Sequence, residues 1–275
     1  MQSKISEGEI KAELARVITN DDEVVVIFSG IWMLIALGVP VKELPTYVLD
    51  IICEFIGKDR TVLLPTYTYD YTRTRIYDPK FSKPETGVLP ARALTRPEFV
   101  RTLNPLNSYA VAGPKTAEIL AINEETLWGD KSVMGWFDEV NARICVLGEP
   151  WHQACTHFHR AEEKLQVPYR YYKKFPGMLH ENGRPVRALD PSMYVRTLNA
   201  RLDYTQVEPV MNDHGSILRG SNANFSIETA LARDIVKASS ALLEKDPLAF
   251  VANKKEILTW IETSKEEELA SLIDR

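Results

Sequence analysis

Thr156, His159 and Glu162 stand three residues apart in the stretch from Arg143 to Glu163. That stretch begins as a short apolar run, Ile144 to Gly148, and turns at Gly148-Glu149-Pro150. The pattern predicts a buried strand, a turn, and a helix that Thr156 opens. Positions i, i+3 and i+6 of a helix lie along one side. A hydroxyl, an imidazole and a carboxylate would then share one face, just past the carboxyl end of a strand, where open α/β sheets bind ligands. This is the equipment of a general base. A carboxylate accepts one ring N–H of His159, fixes its tautomer, and steadies the positive charge the ring gains on taking a proton. Thr156 stands at the N-cap position. The helix N-terminus beside it favours a neutral imidazole and a developing oxyanion or thiolate. The spacing alone fits equally a capped surface helix with a chance histidine.

Two other chemistries use the same stretch. Cys155 and His159 are i and i+4 and could touch on a helix, as in a thiol amidase or acyl-enzyme transferase. No local cysteine-hydrolase signature surrounds them. His157, His159 and Glu163, with His152 nearby, could be read as metal ligands. His157 and His159 point to different helix faces, however, which is poor geometry for one ion, so no metal is expected.

The elements that must position these residues alternate. Ile5 to Ile18 has apolar residues at helical spacing. Glu23 to Phe28 reads as a buried strand, followed by the turn Ser29-Gly30 and a buried helix start. The apolar run from Val24 to Val41 has the length of a membrane span, but Ser29-Gly30 and Pro40 break it. Val41 to Ile56 reads as a helix and Thr61 to Leu64 as a strand. The order predicts an α/β fold, an α/β/α sandwich with a mixed, partly parallel sheet. Thr66 to Pro84, rich in tyrosine and without a period, reads as a long functional loop. Short helices are expected near Ala91–Thr95, Lys115–Ala121 and Asp130–Val140. The basic, aromatic stretch from Val167 to Gly177 and a strand at Tyr194–Leu198 suggest a small β-containing C-terminal insertion. Ile227 to Leu243 reads as a helix, and Pro247 to Leu272 as one or two more, with a solvated Lys- and Glu-rich end. A single domain over 1–275 is expected, with a core to about 177 and a lobe or lid from about 178.

Composition is that of an ordinary globular protein: 275 residues, 45% hydrophobic, with 33 basic against 38 acidic side chains. The mild negative charge argues against nucleic-acid binding. Three cysteines, Cys53, Cys145 and Cys155, make no disulfide framework. No basic and apolar leader opens the sequence, so the cytoplasm is the expected location and no membrane partner is expected.

Several separated pieces resemble one family. Glu85 to Pro90, the run Arg101-Thr102, Asn104-Pro105 and Ser108, and Thr156, His159 and Glu162 resemble, in order and spacing, the aminoglycoside 3-N-acetyltransferase family. Phe28-Ser29-Gly30 and Leu63-Leu64-Pro65-Thr66 fit the same pattern, so the resemblance covers roughly Asp22 to Gly177. It implies transfer of an acetyl group from acetyl-CoA to a primary amine, usually on an amino sugar. It also implies His159 as the base, Glu162 as its assistant and Thr156 near the thioester. Ser29, Gly30, Arg101 and Ser108 are the implied coenzyme contacts. An oxyanion would meet backbone N–H groups at the Ser29-Gly30 turn or the helix N-terminus. The chain departs from the family pattern at Phe28 and Asn104, where the family usually has His. With the His159 motif intact, those losses read as a change of acceptor; a catalytically degenerate binding or scaffold protein is the alternative they support.

The expected partner is a small-molecule amine, with Asn104, Tyr67 and Arg170 as candidate acceptor contacts; a homodimer is left open. A polycationic antibiotic calls for an acidic pocket, whereas the nearby loops carry Arg73, Arg75, Arg160, Arg170, Lys173 and many tyrosines. That mix suits an anionic acceptor, such as an amino sugar on a nucleotide diphosphate.

Overall fold

Alternation along one strand divides the molecule into layers. In β1 (Val24–Ser29), Val25 and Ile27 join one buried cluster while Val24, Val26 and Phe28 join another, as successive side chains of a strand must. The computed structural model describes residues 5–273. The further strands are β2 (Thr61–Pro65), β3 (Ile76–Tyr77), β4 (Val100–Arg101), β5 (Tyr109–Ala112), β6 (Arg143–Leu147), β7 (Arg170–Lys174), β8 (Gly177–Glu181), β9 (Arg184–Leu189), β10 (Ser192–Arg196), β11 (Leu218–Arg219) and β12 (Ile227–Leu231). Seven of them form the central sheet in the order β11-β12-β6-β1-β2-β5-β4. β1 is parallel to both β2 and β6, and the outer pairings are antiparallel. This is the expected mixed, partly parallel sheet.

Both faces are covered by helices. On one side lie the helices Glu7–Val17 and Leu44–Ile56, whose Leu14, Val17, Val48 and Ile52 pack on Val25, Ile27, Cys145 and Leu147. The first is closed by a capping box: Ser6 Oγ accepts from Glu9 N at 3.2 Å, and Ser6 N donates to Glu9 Oε2 at 2.7 Å. On the other side Val24, Val26, Ile144 and Val146 meet Trp136, Phe137, Phe158, Ile235 and Ala238. Those residues come from Val133–Glu139, the segment leading into His159–Lys164, and Ala232–Lys245. Each fully buried Leu, Ile or Val contributes about 1.5–3 kcal/mol of transfer free energy.

The structure moves several expected boundaries. After Ser29 the chain forms a 3₁₀ helix, Ile31–Leu37, so the apolar run folds as strand and short helix. Among the described residues no helix is long and apolar enough to cross a membrane. Contrary to expectation, Ile227–Leu231 is not helical; it is β12, antiparallel to β6, and the helix begins only at Ala232. The C-terminal third is therefore no separate lobe, since β11 and β12 complete the central sheet. The small β insertion contributes to two small sheets, β10 with β7, and β8 and β9 joined by β3 from the tyrosine-rich segment. Three of the four tyrosines in the tyrosine-rich segment, Tyr67, Tyr71 and Tyr77, are buried while Tyr69 is exposed; Tyr71 Oη donates to the Phe175 carbonyl and Tyr77 Oη to that of Thr102, each at 2.8 Å. The last helix runs Lys254–Ile273, and the side chains of its Lys- and Glu-rich end from 264 lie outside the described ones.

Candidate active site

β6 delivers the site. Its end, Leu147, pairs with Ile227, and the next amide, Gly148, donates to the Ser226 carbonyl at 2.8 Å. Gly148 takes φ +74°, and a Cβ there would collide with the Gly30 carbonyl, so the chain leaving the parallel strands β1 and β6 comes together at two glycines. A short helix, Trp151–Ala154, leads to a turn and then to the helix His159–Lys164. Contrary to expectation, Thr156 does not open that helix as a side-chain cap; it lies in the preceding turn and its Oγ1 meets Tyr67 Oη at 3.0 Å.

Glu162 is fully buried and both its oxygens are engaged. Oε1 accepts from Tyr169 Oη at 2.7 Å. Oε2 accepts from His159 Nδ1 at 2.6 Å, Arg170 Nη2 at 2.9 Å and Tyr204 Oη at 3.0 Å. Burial alone would push this carboxyl up; Arg170 and the hydrogen bonds of His159 and Tyr169 outweigh it and hold the value at about 2. The carboxylate is thus ionised, and His159 must carry its proton on Nδ1, which leaves Nε2 as the basic nitrogen. Among the described residues Nε2 has no hydrogen-bond partner. Burial first, then the charge of Arg170, depress the His159 pKa against the pull of Glu162, so the ring is uncharged at neutral pH. Trp128 covers it with ring centroids 4.3 Å apart. Arg160 anchors Trp128 by donating to its carbonyl while pairing with Asp130 and Asp138.

Two clefts meet these residues. One, about 270 Å³, is lined by Phe28, Ser29, Tyr67, Thr86, Glu149 and Thr156. The other, about 320 Å³, is lined by Trp128, His159, Met193, Val195, Arg196 and Leu202. Ser29 Oγ is buried at the first without a hydrogen-bond partner, while the Gly30 amide donates to the Leu147 carbonyl at 2.8 Å. The Gly30 N–H, expected to meet an oxyanion, is therefore committed. The amides of His157 and Phe158, in the turn before the helix, face the Cys155 sulfur.

The other sequence-derived residues fall in different places. Arg101 is buried and donates to the carbonyls of Thr66 and Ser82 and to the Thr68 hydroxyl at 2.7 Å, with Ser108 Oγ also on the Thr66 carbonyl at 2.8 Å. Together they brace the turn after β2 that carries Tyr67. Asn104 lines a third cleft, about 360 Å³, with Glu124, Arg187 and Asp190, sharing no wall with the other two. Arg170 borders the His159 cleft, with Nη1 on the Tyr194 carbonyl, Nη2 on Glu162 and Tyr204, and Nε buried without a hydrogen-bond partner. Arg73 pairs with Asp70 and Arg160 with two aspartates, so these arginines, too, do not face an acceptor. Cys155 is buried and burial pushes its thiol up to about 12, unsuited to a nucleophile. His157 turns to Asp138 and Glu163 to Thr126, away from one another.

Trp128, Tyr169 and Tyr204 are not readable as site residues from the sequence. Tyr169 and Arg170 lie in the basic, aromatic stretch that stands out there; Trp128 and Tyr204 carry no local signal.

Comparison with known proteins places the arrangement. No curated protein matches the chain in sequence. The aminoglycoside acetyltransferase AAC(3)-IVa, as apoenzyme, superposes with TM-score 0.74 at 19% identity over 93% of this chain and 95% of that one. A mutant of it in complex with a gentamicin gives the same values: TM-score 0.74 and 19% identity over 93% and 95%. AAC-IIIb, in a binary complex with CoASH, superposes with TM-score 0.70 at 16% identity over 90% and 98%. These likenesses establish a shared α/β fold. The sequence profile of the Aminoglycoside 3-N-acetyltransferase family matches residues 34–244. With a profile match over most of its length, the protein belongs to the aminoglycoside 3-N-acetyltransferase family.

Proposed function

We infer that the protein transfers an acetyl group from acetyl-CoA to a primary amine, with His159 Nε2 as general base. The observation that carries this is the filled coordination of Glu162, which fixes the Nδ1–H tautomer and leaves an uncharged ring with its free lone pair at a cleft. The neutral amine attacks the thioester carbon, and Nε2 takes the proton from the nitrogen. The tetrahedral oxyanion collapses, the C–S bond breaks, and coenzyme A leaves as thiolate, to which the imidazolium can return its proton. Ser29 Oγ, buried without a partner at the Thr156 cleft, is the donor proposed for the oxyanion. Arg101 and Ser108 are proposed to serve the coenzyme indirectly, by holding the Tyr67 turn. The coenzyme A complex of AAC-IIIb and the gentamicin complex of the AAC(3)-IVa mutant support a donor and an amine meeting on this fold.

The acceptor is proposed to be an amino sugar without the dense positive charge of an aminoglycoside. The His159 cleft offers Trp128, Met193, Val195, Leu198, Leu202 and Arg196, and no free carboxylate. A nucleotide-linked amino sugar is the finer proposal; its support is Arg196 and the Trp128 ring rather than Arg73, Arg160 or Arg170. The test follows free thiol release from acetyl-CoA with a panel of kanamycin-type amines, simple amino sugars and nucleotide-linked amino sugars. Turnover with the last two, lost in His159→Ala, is expected. Preference for the polycations overturns the acceptor assignment, and no turnover with any amine despite coenzyme binding favours the degenerate binding protein.

A further inference from the structure

A chain of hydrogen bonds runs beside the Ser29 cleft from Glu124 through Asn107, Tyr109 and Tyr67 to Thr156. Asn107 Nδ2 donates to Glu124 Oε1 at 3.1 Å and to the Leu127 carbonyl at 3.0 Å. Both partners are acceptors, so the amide cannot be turned over, and its Oδ1 faces Tyr109 Oη at 3.3 Å. Asn107 is 1% exposed, and its carbonyl stays unsatisfied unless Tyr109 donates to it. The Tyr109 hydroxyl has one proton. With that proton on Asn107, the 2.7 Å contact between Tyr109 and Tyr67 requires Tyr67 to donate. Tyr67 then has none left, and its 3.0 Å contact with Thr156 Oγ1 requires Thr156 to donate. One buried amide thereby sets the direction of every hydroxyl up to the cleft.

We propose that Asn107 and Tyr109 are positioning residues that make Thr156 Oγ1 a hydrogen-bond acceptor toward the cleft, where it receives an amide N–H of the coenzyme's pantetheine arm. The ligand named here rests on the acetyl-CoA reading above. A Thr156 hydroxyl committed to Tyr67 does not donate to the thioester oxyanion, which separates its task from that of Ser29. The same two tyrosines are buried, and burial raises both phenols, so neither ionises at neutral pH; burial also raises Glu124 to about 7, and the Leu127 carbonyl holds the Asn107 amide in place whether or not that carboxyl carries a proton.

Tyr109→Phe tests the assignment without touching Thr156. It removes the acceptor of the Tyr67 proton, Tyr67 turns that proton onto Thr156 Oγ1, and Thr156 presents a donor to the cleft instead of a lone pair. Coenzyme A affinity is measured by calorimetry for the wild type, Tyr109→Phe, Thr156→Val and the double variant. Each single change is expected to weaken binding about tenfold, and the double change no more than Thr156→Val, because Tyr109 acts only through Thr156. Unchanged affinity in Tyr109→Phe, or additive losses, overturns the proposal. Neutron diffraction from the deuterium-exchanged wild type reads the direction without any ligand. A Thr156 deuteron aimed at Tyr67 is expected, and one aimed into the cleft overturns the proposal. A wild type with the expected deuteron that fails to bind coenzyme A overturns the acetyl-CoA reading, and the ligand with it, while the direction of the chain stands.

Discussion

The indole of Trp128 lies over the imidazole of His159, with centroids 4.3 Å apart and planes tilted by 35°. It covers one face of the proposed base. Burial is the leading cause of the depressed His159 pKa, ahead of the Arg170 charge. Trp128→Ala hydrates the ring, so its pKa rises toward the usual imidazole value. The proposed base works unprotonated, so activity is expected to be lost as pH falls through that value, and the acid limb of kcat/KM to move to higher pH in the variant. A limb that stays in place or moves down would show that Trp128 does not shield the base.

Glu162→Gln removes the anion from beneath His159 and leaves Arg170 buried without its counter-charge. Breaking such a pair costs roughly 3–5 kcal/mol of stability. Loss of the base's assistant lowers kcat/KM by about 10²–10⁴. The folded carboxyl lies at about 2, below its ordinary value of 4.5. Its contribution is therefore fully present above the unfolded value and is lost as pH falls from there toward the folded one. Unfolding free energies of wild type and variant should accordingly converge as pH drops through this window; curves that stay parallel count against an ionised, paired Glu162.

Arg101→Met strips the donor from the carbonyls of Thr66 and Ser82 and from the Thr68 hydroxyl, all held by one buried guanidinium. The Thr66 carbonyl keeps Ser108 Oγ, but the Ser82 carbonyl loses its donor, and an orphaned buried acceptor costs about 1–3 kcal/mol where water cannot reach it. The urea midpoint should fall, and coenzyme A affinity should fall with it as the Tyr67 turn loosens. A variant with a lower midpoint but undiminished affinity would limit Arg101 to the fold.

Cys155 separates direct transfer from an acyl-enzyme route. Its thiol is buried and raised to about 12, so it holds almost no thiolate at neutral pH. Iodoacetamide should leave activity intact, and Cys155→Ala should retain it within about threefold, as for a small packed hydrophobe. Abolished turnover in a folded Cys155→Ala would sink direct attack.

Local signals carry the sheet and half of the site. Runs of β-branched and aliphatic residues mark β1, β2 and β6 because a strand covered on both faces is apolar at every position. The three-residue step from His159 to Glu162 is short enough for helix geometry to enforce, and the two side chains do meet. Thr156 misleads because it has the residue type and position of a cap, whereas its hydroxyl serves Tyr67, 89 residues away. β12 is hidden because no turn separates Leu231 from Ala232, so the helical period of Ala232–Lys245 runs backwards over the strand. Tyr204 reaches Glu162 across 42 residues, and no periodicity within either segment encodes that encounter. The arginines resemble a binding surface because sequence shows charge but not its partner; Arg73, Arg160 and Arg170 each have one.

The placement of β12 bears on how the protein is made. β6 leads into the turn before His159, yet its outer edge stays open until Ile227–Leu231 has been synthesised and pairs with it, and Tyr204 arrives only shortly before. A ribosome-bound chain that has just emitted Glu162 holds Thr156, His159 and Glu162 but not yet Arg170 and Tyr204, which complete the surroundings of the Glu162 carboxylate. Competence comes late in translation, through a long-range closure of the kind that slows folding. Until then β6 is an unpaired apolar edge, and protecting that edge falls to whatever attends the nascent chain.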